Sequence, residues 1–150
     1  MTKLQAIRWF ASKVLNEKVV IPHERLDGNW GMVVGPFSNE PRLMIPKDLN
    51  AKDHDDYTFR QDFTRRYSVA KGFANHTLTI LHECGHWNTR EQINIFTYDR
   101  RRARCKTSTE YYLMKEERIA TDWAIQWLYE PENRKLAKEF ERKYFGYGND

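Results

Sequence analysis

"LTILHECGHWNTR", residues 78–90, sets His82 and His86 four positions apart, with Glu83 directly after the first histidine, inside an apolar run. On an α-helix four residues advance about 6 Å and leave an angular offset of about 40°, so two imidazoles at this spacing can converge on one ion. Glu83, turned about 100° from His82, can reach a water held at such an ion without ligating it. Zinc takes neutral imidazole nitrogens, and a catalytic zinc site keeps three protein ligands and one water position with a general base beside it. If this stretch is a helix, it is the element around which the rest of the chain has to be arranged.

Five histidines and twelve glutamates in 150 residues make a chance H-E-x-x-H pattern a matter of about one such chain in a hundred. The plain alternative is a core helix with two satisfied histidines and an exposed glutamate. Helical periodicity runs from about Val69 to Trp87, with Phe73, Leu78 and Leu81 at packing positions, and ends near Asn88 and Thr89.

A third ligand is then required. Thr89 and Gln92 stand where the extended three-histidine signature needs glycine and histidine, which excludes that class. No histidine follows His86, so the third ligand is a carboxylate or comes from upstream. In "YYLMKEERIATDWAIQWL", residues 111–128, the adjacent Glu116 and Glu117 open an apolar helical face carried by Ala120, Trp123, Ala124 and Trp127. Glu117 begins that face and is the expected ligand; Glu116, turned more to its side, and Glu110 are the alternatives. A buried carboxylate is costly without a partner, and a zinc ion is one partner that offsets the cost. Taken alone, "EER" reads as a solvated first turn favoured by the helix macrodipole. Thr121 could hydrogen-bond within the site, but an ordinary helical hydroxyl is the plainer expectation.

The length suits a single domain spanning 1–150, and 40% apolar with 31% charged residues is ordinary globular composition. Leu4, Ile7, Phe10, Ala11, Val14 and Leu15 share one face of an amino-terminal helix that Thr2 can cap. Between Lys18 and Leu49, "KVVIP", "NWGMVVG" and "PRLMIP" are short apolar runs separated by Asp27-Gly28 and Gly35-Pro36, which predicts two or three strands of a small antiparallel sheet. Residues 50–66 are polar and aperiodic, a loop with a short helical turn around Phe59 and Phe63. Residues 88–107 hold the apolar patch "INIF" and then "DRRRARCK", also without a helix. A long helix follows from about Ser108 to Tyr129, and after Pro131 an amphipathic helix runs to Gly146. The expected class is α+β, with the H-E-x-x-H on a central helix beside a small sheet.

"LHECGHWNTR" and "KEERIATDWA" together resemble the zincin-like metallopeptidase domains of ArdC-type antirestriction proteins and, more distantly, the ImmA/IrrE-type metallopeptidases of mobile elements and stress regulation. The first stretch is similar to the ArdC-type order of leucine, H-E-x-x-H, tryptophan and a polar turn leading to arginine. The second is similar to a helix in both families whose glutamate lies three residues before an alanine, which here is Glu117. About fifty residues, 78 to 128, carry the likeness; neither an ArdC-type single-stranded-DNA-binding domain nor a helix-turn-helix signature accompanies them. The resemblance implies a zincin-like fold with zinc held by two helices beside a small sheet, and a phage or mobile-element setting.

A net charge of +4 leaves room for nucleic-acid or acidic-protein contacts and argues against a DNA-mimic inhibitor. The basic run Arg100 to Lys106, with Arg65-Arg66 as a second pair, is either a phosphate-contacting loop or a solvated charged one; no interleaved aromatics support the former. Cys84, about 200° around the helix from His82, is expected in the core, and Cys105 as a free surface thiol. With two cysteines, and no basic-then-apolar leader or membrane span in the opening residues, the expected setting is a reducing cytoplasm. Trp87, Trp123 and Trp127 are expected as core walls. Tyr67, His76, Tyr111 and Tyr112 are candidates to stabilise an oxyanion, and an edge strand in "GNWGMVVG" or "PRLMIP" could receive an extended peptide.

These residues predict a zinc metallopeptidase: His82, His86 and Glu117 as ligands, Glu83 as general base, and a peptide bond of a protein as substrate. The alternative is a zincin-fold binding or antirestriction protein that contacts protein or nucleic acid without proteolysis.

Overall fold

The computed structural model describes residues 1–22, 24–25, 30–33, 39–47, 49 and 68–146. Six α-helices and three strands lie among them: α1 (Lys3–Leu15), β1 (Glu24–Arg25), β2 (Gly31–Val33), β3 (Arg42–Pro46), α2 (Asn75–Asn88), α3 (Ile95–Arg104), α4 (Ser108–Tyr112), α5 (Lys115–Tyr129) and α6 (Pro131–Phe145), with 3-10 turns at Ser68–Gly72 and Arg90–Gln92. The fold is α+β, mostly helical with a small sheet.

Local chemistry sets most boundaries. Thr2 and Gln5 form a reciprocal capping box at the start of α1, and Asn16, in the left-handed region at φ 54°, ends it. Pro131 occupies the first turn of α6, where its missing N–H costs nothing, and Gly146 closes that helix with φ 75°. α2 has no capping side chain of its own. Glu141 of α6 supplies one across space: its Oε2 accepts the Ala74 N–H at 2.7 Å and the Thr77 hydroxyl at 2.6 Å. A carboxylate there satisfies a free N–H and complements the positive helix end.

The sheet has the order β1-β3-β2. β2 pairs with β3 antiparallel, Gly31 opposite Met44, as expected, but β1 adds to the other side of β3 in parallel. The chain enters alongside β3 through Val20, whose N–H donates to the Pro41 carbonyl at 2.9 Å and whose carbonyl accepts from Leu43 at 2.8 Å. Short apolar runs carry no information about strand direction, which is why antiparallel pairing throughout was the wrong expectation.

Three helical expectations also change. The helix expected from about Val69 begins at Asn75, because Ala74 is extended after the 3-10 turn at Ser68–Gly72. Residues 95–104 form α3, begun by Asn94, whose side chain accepts the N–H groups of Phe96 and Thr97. The single helix expected over 108–129 is two, because Met114 is extended (φ −60°, ψ 142°) and the chain turns between α4 and α5. The 50–66 segment, with Phe59, Phe63 and Arg65-Arg66, lies outside the described residues.

α2 is the central helix, packed by α1, α5, α6 and β2. On its far side Phe10 of α1 stacks on Phe140 of α6 at 4.5 Å and meets Trp127 of α5 edge-on at 5.9 Å. That apolar layer fixes the helices that present the polar side chains described next. Because Glu141 is largely buried where it caps α2, Glu141→Ala is expected to lower stability by about 1–2 kcal/mol, read as a lower urea midpoint at unchanged slope.

Candidate metal centre

Ten of the fourteen residues of α2 are buried, including His82, Glu83 and His86. Polar groups at such depth need partners, and α5 supplies them at the point where the two helices come closest. A Cβ on Gly85 would run into the Ala120 carbonyl oxygen and lie 3.0 Å from both the Ala120 carbonyl carbon and Cα. Glycine is therefore required by the approach of the two backbones, not by its own conformation. One turn before Ala120, Glu117 is carried against the two histidines that bracket Gly85.

The Glu117 carboxylate accepts from both rings. Its Oε1 is 3.0 Å from His82 Nε2, and His86 Nε2 lies 3.2 Å from Oε1 and 3.1 Å from Oε2. One donor atom from each of the three residues falls within 4.8 Å of the other two, so the cluster could hold a metal ion. His82 Nδ1 is 3.0 Å from Thr121 Oγ1, which orients the ring with Nε2 toward Glu117. Thr121 thus takes part in the site, four residues after Glu117 on the same face of α5.

The alternatives for the third carboxylate have other partners. Glu116 is also buried, but it turns to α3 and pairs with Arg101. Glu110 is exposed and accepts the Lys106 N–H at 2.6 Å.

The two acidic groups of the site are shifted in opposite directions. Burial pushes the Glu117 carboxyl up, but the His86 charge and the hydrogen bonds from His82 and His86 outweigh it and hold the group well below the ordinary carboxylate range. Burial tends to lower His86, and the Glu117 charge and hydrogen bond reverse this, leaving the imidazole above its usual value. Glu83 is raised: burial dominates, and the attraction of His86 and His82 only partly offsets it. A carboxyl displaced upward toward neutrality has the basicity that a proton acceptor needs.

α3 adds a residue that the sequence did not point to. The Tyr98 hydroxyl donates to Glu117 Oε2 at 2.6 Å, and the Tyr111 hydroxyl lies 3.4 Å beyond it. The available signal was Asn94, a capping residue before an amphipathic "IFTYDRRRAR", but the polar run masked the helix.

Of the oxyanion candidates, Tyr111 reaches the site through Tyr98. His76 lies almost two turns before His82, donates to the Leu49 carbonyl at 2.8 Å and packs on Tyr144, and Tyr112 packs against the core. Tyr67 is outside the described residues. β3 lies between β1 and β2, so "PRLMIP" offers no free edge; among the described residues β1 and β2 are the outer strands, and Gly28, Asn29, Val34 and Gly35 beside β2 are not described. Cys84 is fully buried, which raises its thiol. Cys105 is half-buried, with Sγ 3.5 Å from Met114 Sδ, so it is not the surface thiol expected. Trp87 is a core wall, covered by Arg90 at 3.8 Å, while Trp123 and Trp127 are partly buried against the core. None of the helices described is long and apolar enough to cross a membrane.

Comparison with protein-family models, with curated proteins and with solved structures gives no match.

Gly85→Ala is expected to force α2 and α5 apart, destabilising the protein by about 1–3 kcal/mol in urea unfolding and lowering metal uptake at equal protein concentration, since Glu117 moves with α5.

Proposed function

We propose that this protein is a zinc-dependent metallopeptidase of zincin type, with His82, His86 and Glu117 as ligands and Glu83 as general base. The observation that carries this reading is the convergence of the three buried donors on one point, with Glu83 beside them and outside the ligand set. Two imidazoles and one carboxylate are a known catalytic zinc set. The Glu117 carboxylate lies 3.0 to 3.2 Å from both Nε2 atoms, and the three donor atoms are all within 4.8 Å of one another, so these residues would be near enough to hold one ion together. When bound, zinc supplies a Lewis acid that acidifies water and polarises a carbonyl.

The chain's own residues do the remainder. Glu83 takes the proton from the attacking water and delivers it to the departing amine. Thr121 and Tyr98 hold His82 and Glu117 in place, so that the ligand set does not reorganise during the reaction. Strand β2, packed on α2 and an outer strand among the described residues, can receive an extended peptide by strand addition.

A second reading, a zincin-fold binding protein, draws on Arg100, Arg104 and Lys106, all exposed. Metal analysis and proteolysis separate the two. Near-stoichiometric zinc is expected in wild type and in Glu83→Gln, and loss of zinc in His82→Ala and Glu117→Ala; cleavage of a broad protein pool should require Glu83. Wild-type protein that takes up no metal would sink both readings, and zinc without Glu83-dependent cleavage would favour the binding protein. Tyr98→Phe is expected to keep the fold and weaken zinc binding by about 10- to 100-fold in a chelator competition, the usual effect of removing a partner from a metal ligand.

A further inference from the structure

Arg102 stands apart from the other basic residues of α3. It lies one turn after Tyr98, offset by about 40° and so on the same helix face, whereas Arg100 and Arg104 are turned about 200° and 240° away. Arg101, on the near side, is taken up by Glu116. The Arg102 side chain is exposed and lies over the Tyr111 ring, 5.7 Å from its centroid, with no carboxylate at ion-pair distance among the described residues. Arg102, Tyr111, Tyr98 and Glu117 therefore form a row from the surface to the candidate ligand, through contacts of 5.7, 3.4 and 2.6 Å. The arginine charge is felt by Glu83, His86 and Glu117.

A guanidinium resting on a ring keeps its fork of N–H donors free at the edge, a shape that fits a carboxylate with two parallel hydrogen bonds. Asp99, three residues before Arg102 on α3, and the buried Glu117 attract the guanidinium, but among the described residues neither lies at ion-pair distance from it. A phosphodiester chain suits the surface less well, because Arg100 and Arg104 face elsewhere and make no continuous track with Arg102.

We propose that the site takes substrates carrying a carboxylate beside the scissile peptide bond, and that Arg102 is the residue that recognises it. This rests on the metallopeptidase reading. The carboxylate is an acidic side chain or a free carboxyl terminus.

The test uses zinc-loaded full-length protein and paired peptide hydroxamates, which bind zinc directly: aspartate against asparagine at the neighbouring position, and free carboxyl terminus against amide. Affinities are measured by calorimetry in wild type, Arg102→Gln and Arg102→Lys at equal zinc content. In wild type the carboxylate member of one pair should bind roughly 10- to 100-fold tighter, and which pair shows the ratio identifies the source. The ratio should fall toward one in Arg102→Gln and be partly kept in Arg102→Lys. A wild-type ratio near one with both ligands bound, or a ratio intact in Arg102→Gln, overturns the proposal while leaving the peptidase reading in place. A carboxylate preference that depends on Arg102, without Glu83-dependent cleavage, supports the recognition and overturns the peptidase. No hydroxamate binding, or no zinc, overturns both. Arg102-dependent binding of oligo(dT) with a hydroxamate ratio near one assigns the arginine to nucleic acid and overturns the proposal.

Discussion

The close approach of α2 and α5 at Gly85 and Ala120 sets the distance on which the candidate centre depends. Glu117 is a short side chain and can touch both His82 and His86 only because no Cβ intervenes one turn away. Ala120 and Ala124 continue the small, fully buried seam along α5. Three ionisable groups placed between tightly packed helices would be costly if any lacked a partner. Here each polar atom that faces another is used: both imidazoles meet one carboxylate, and its remaining contact is a tyrosine hydroxyl. The interface is therefore tolerated as a set, and the loss of one member leaves the others buried and unpaired.

The second layer comes from α3. It touches α5 at neighbouring positions, with Tyr98 on Glu117 and Arg101 on Glu116, while Arg102 rests on Tyr111 of α4. Two adjacent glutamates with equal burial thus have different roles, decided by what α3 and α2 bring to each. The same principle separates Glu83 from Glu117. Both carboxyls are buried within one cluster, yet one is raised because burial dominates and the other lowered because two imidazoles face it. Such divergence between neighbouring acids is the pattern by which a site can hold one group as a permanent anion and another as a proton acceptor.

His82, Glu83 and His86 were legible from spacing because a helix turns that spacing into a shared face within a single element. Glu117 was legible with more effort, since the apolar residues after it mark which way it points; Thr121 shares that face, but its bond to His82 went against the plain helical hydroxyl expected of it. Glu116 was harder: its position to the side of that face was clear, but its burial depends on Arg101, which comes from a helix hidden inside a run of arginines. Tyr98 was not legible for the same reason. The direction of β1 and the sharing of 108–129 between two helices were also out of reach, because short apolar runs and intrinsic propensity do not record which neighbour a segment meets.

By itself the sequence determined what depends on residues within a few turns of one another: the α1 cap, the amphipathic faces, the α+β class, and a pair of histidines with a glutamate between them on one helix. The tertiary structure alone decided how close Glu117 comes to those histidines, that Glu116 is taken by an arginine, and which tyrosine and arginine stand behind the candidate ligand. The reason is one of scale. Helical periodicity fixes angles along one axis, whereas a shared site depends on the separation of axes, and that separation is set here by a missing side chain at Gly85 and the backbone of Ala120.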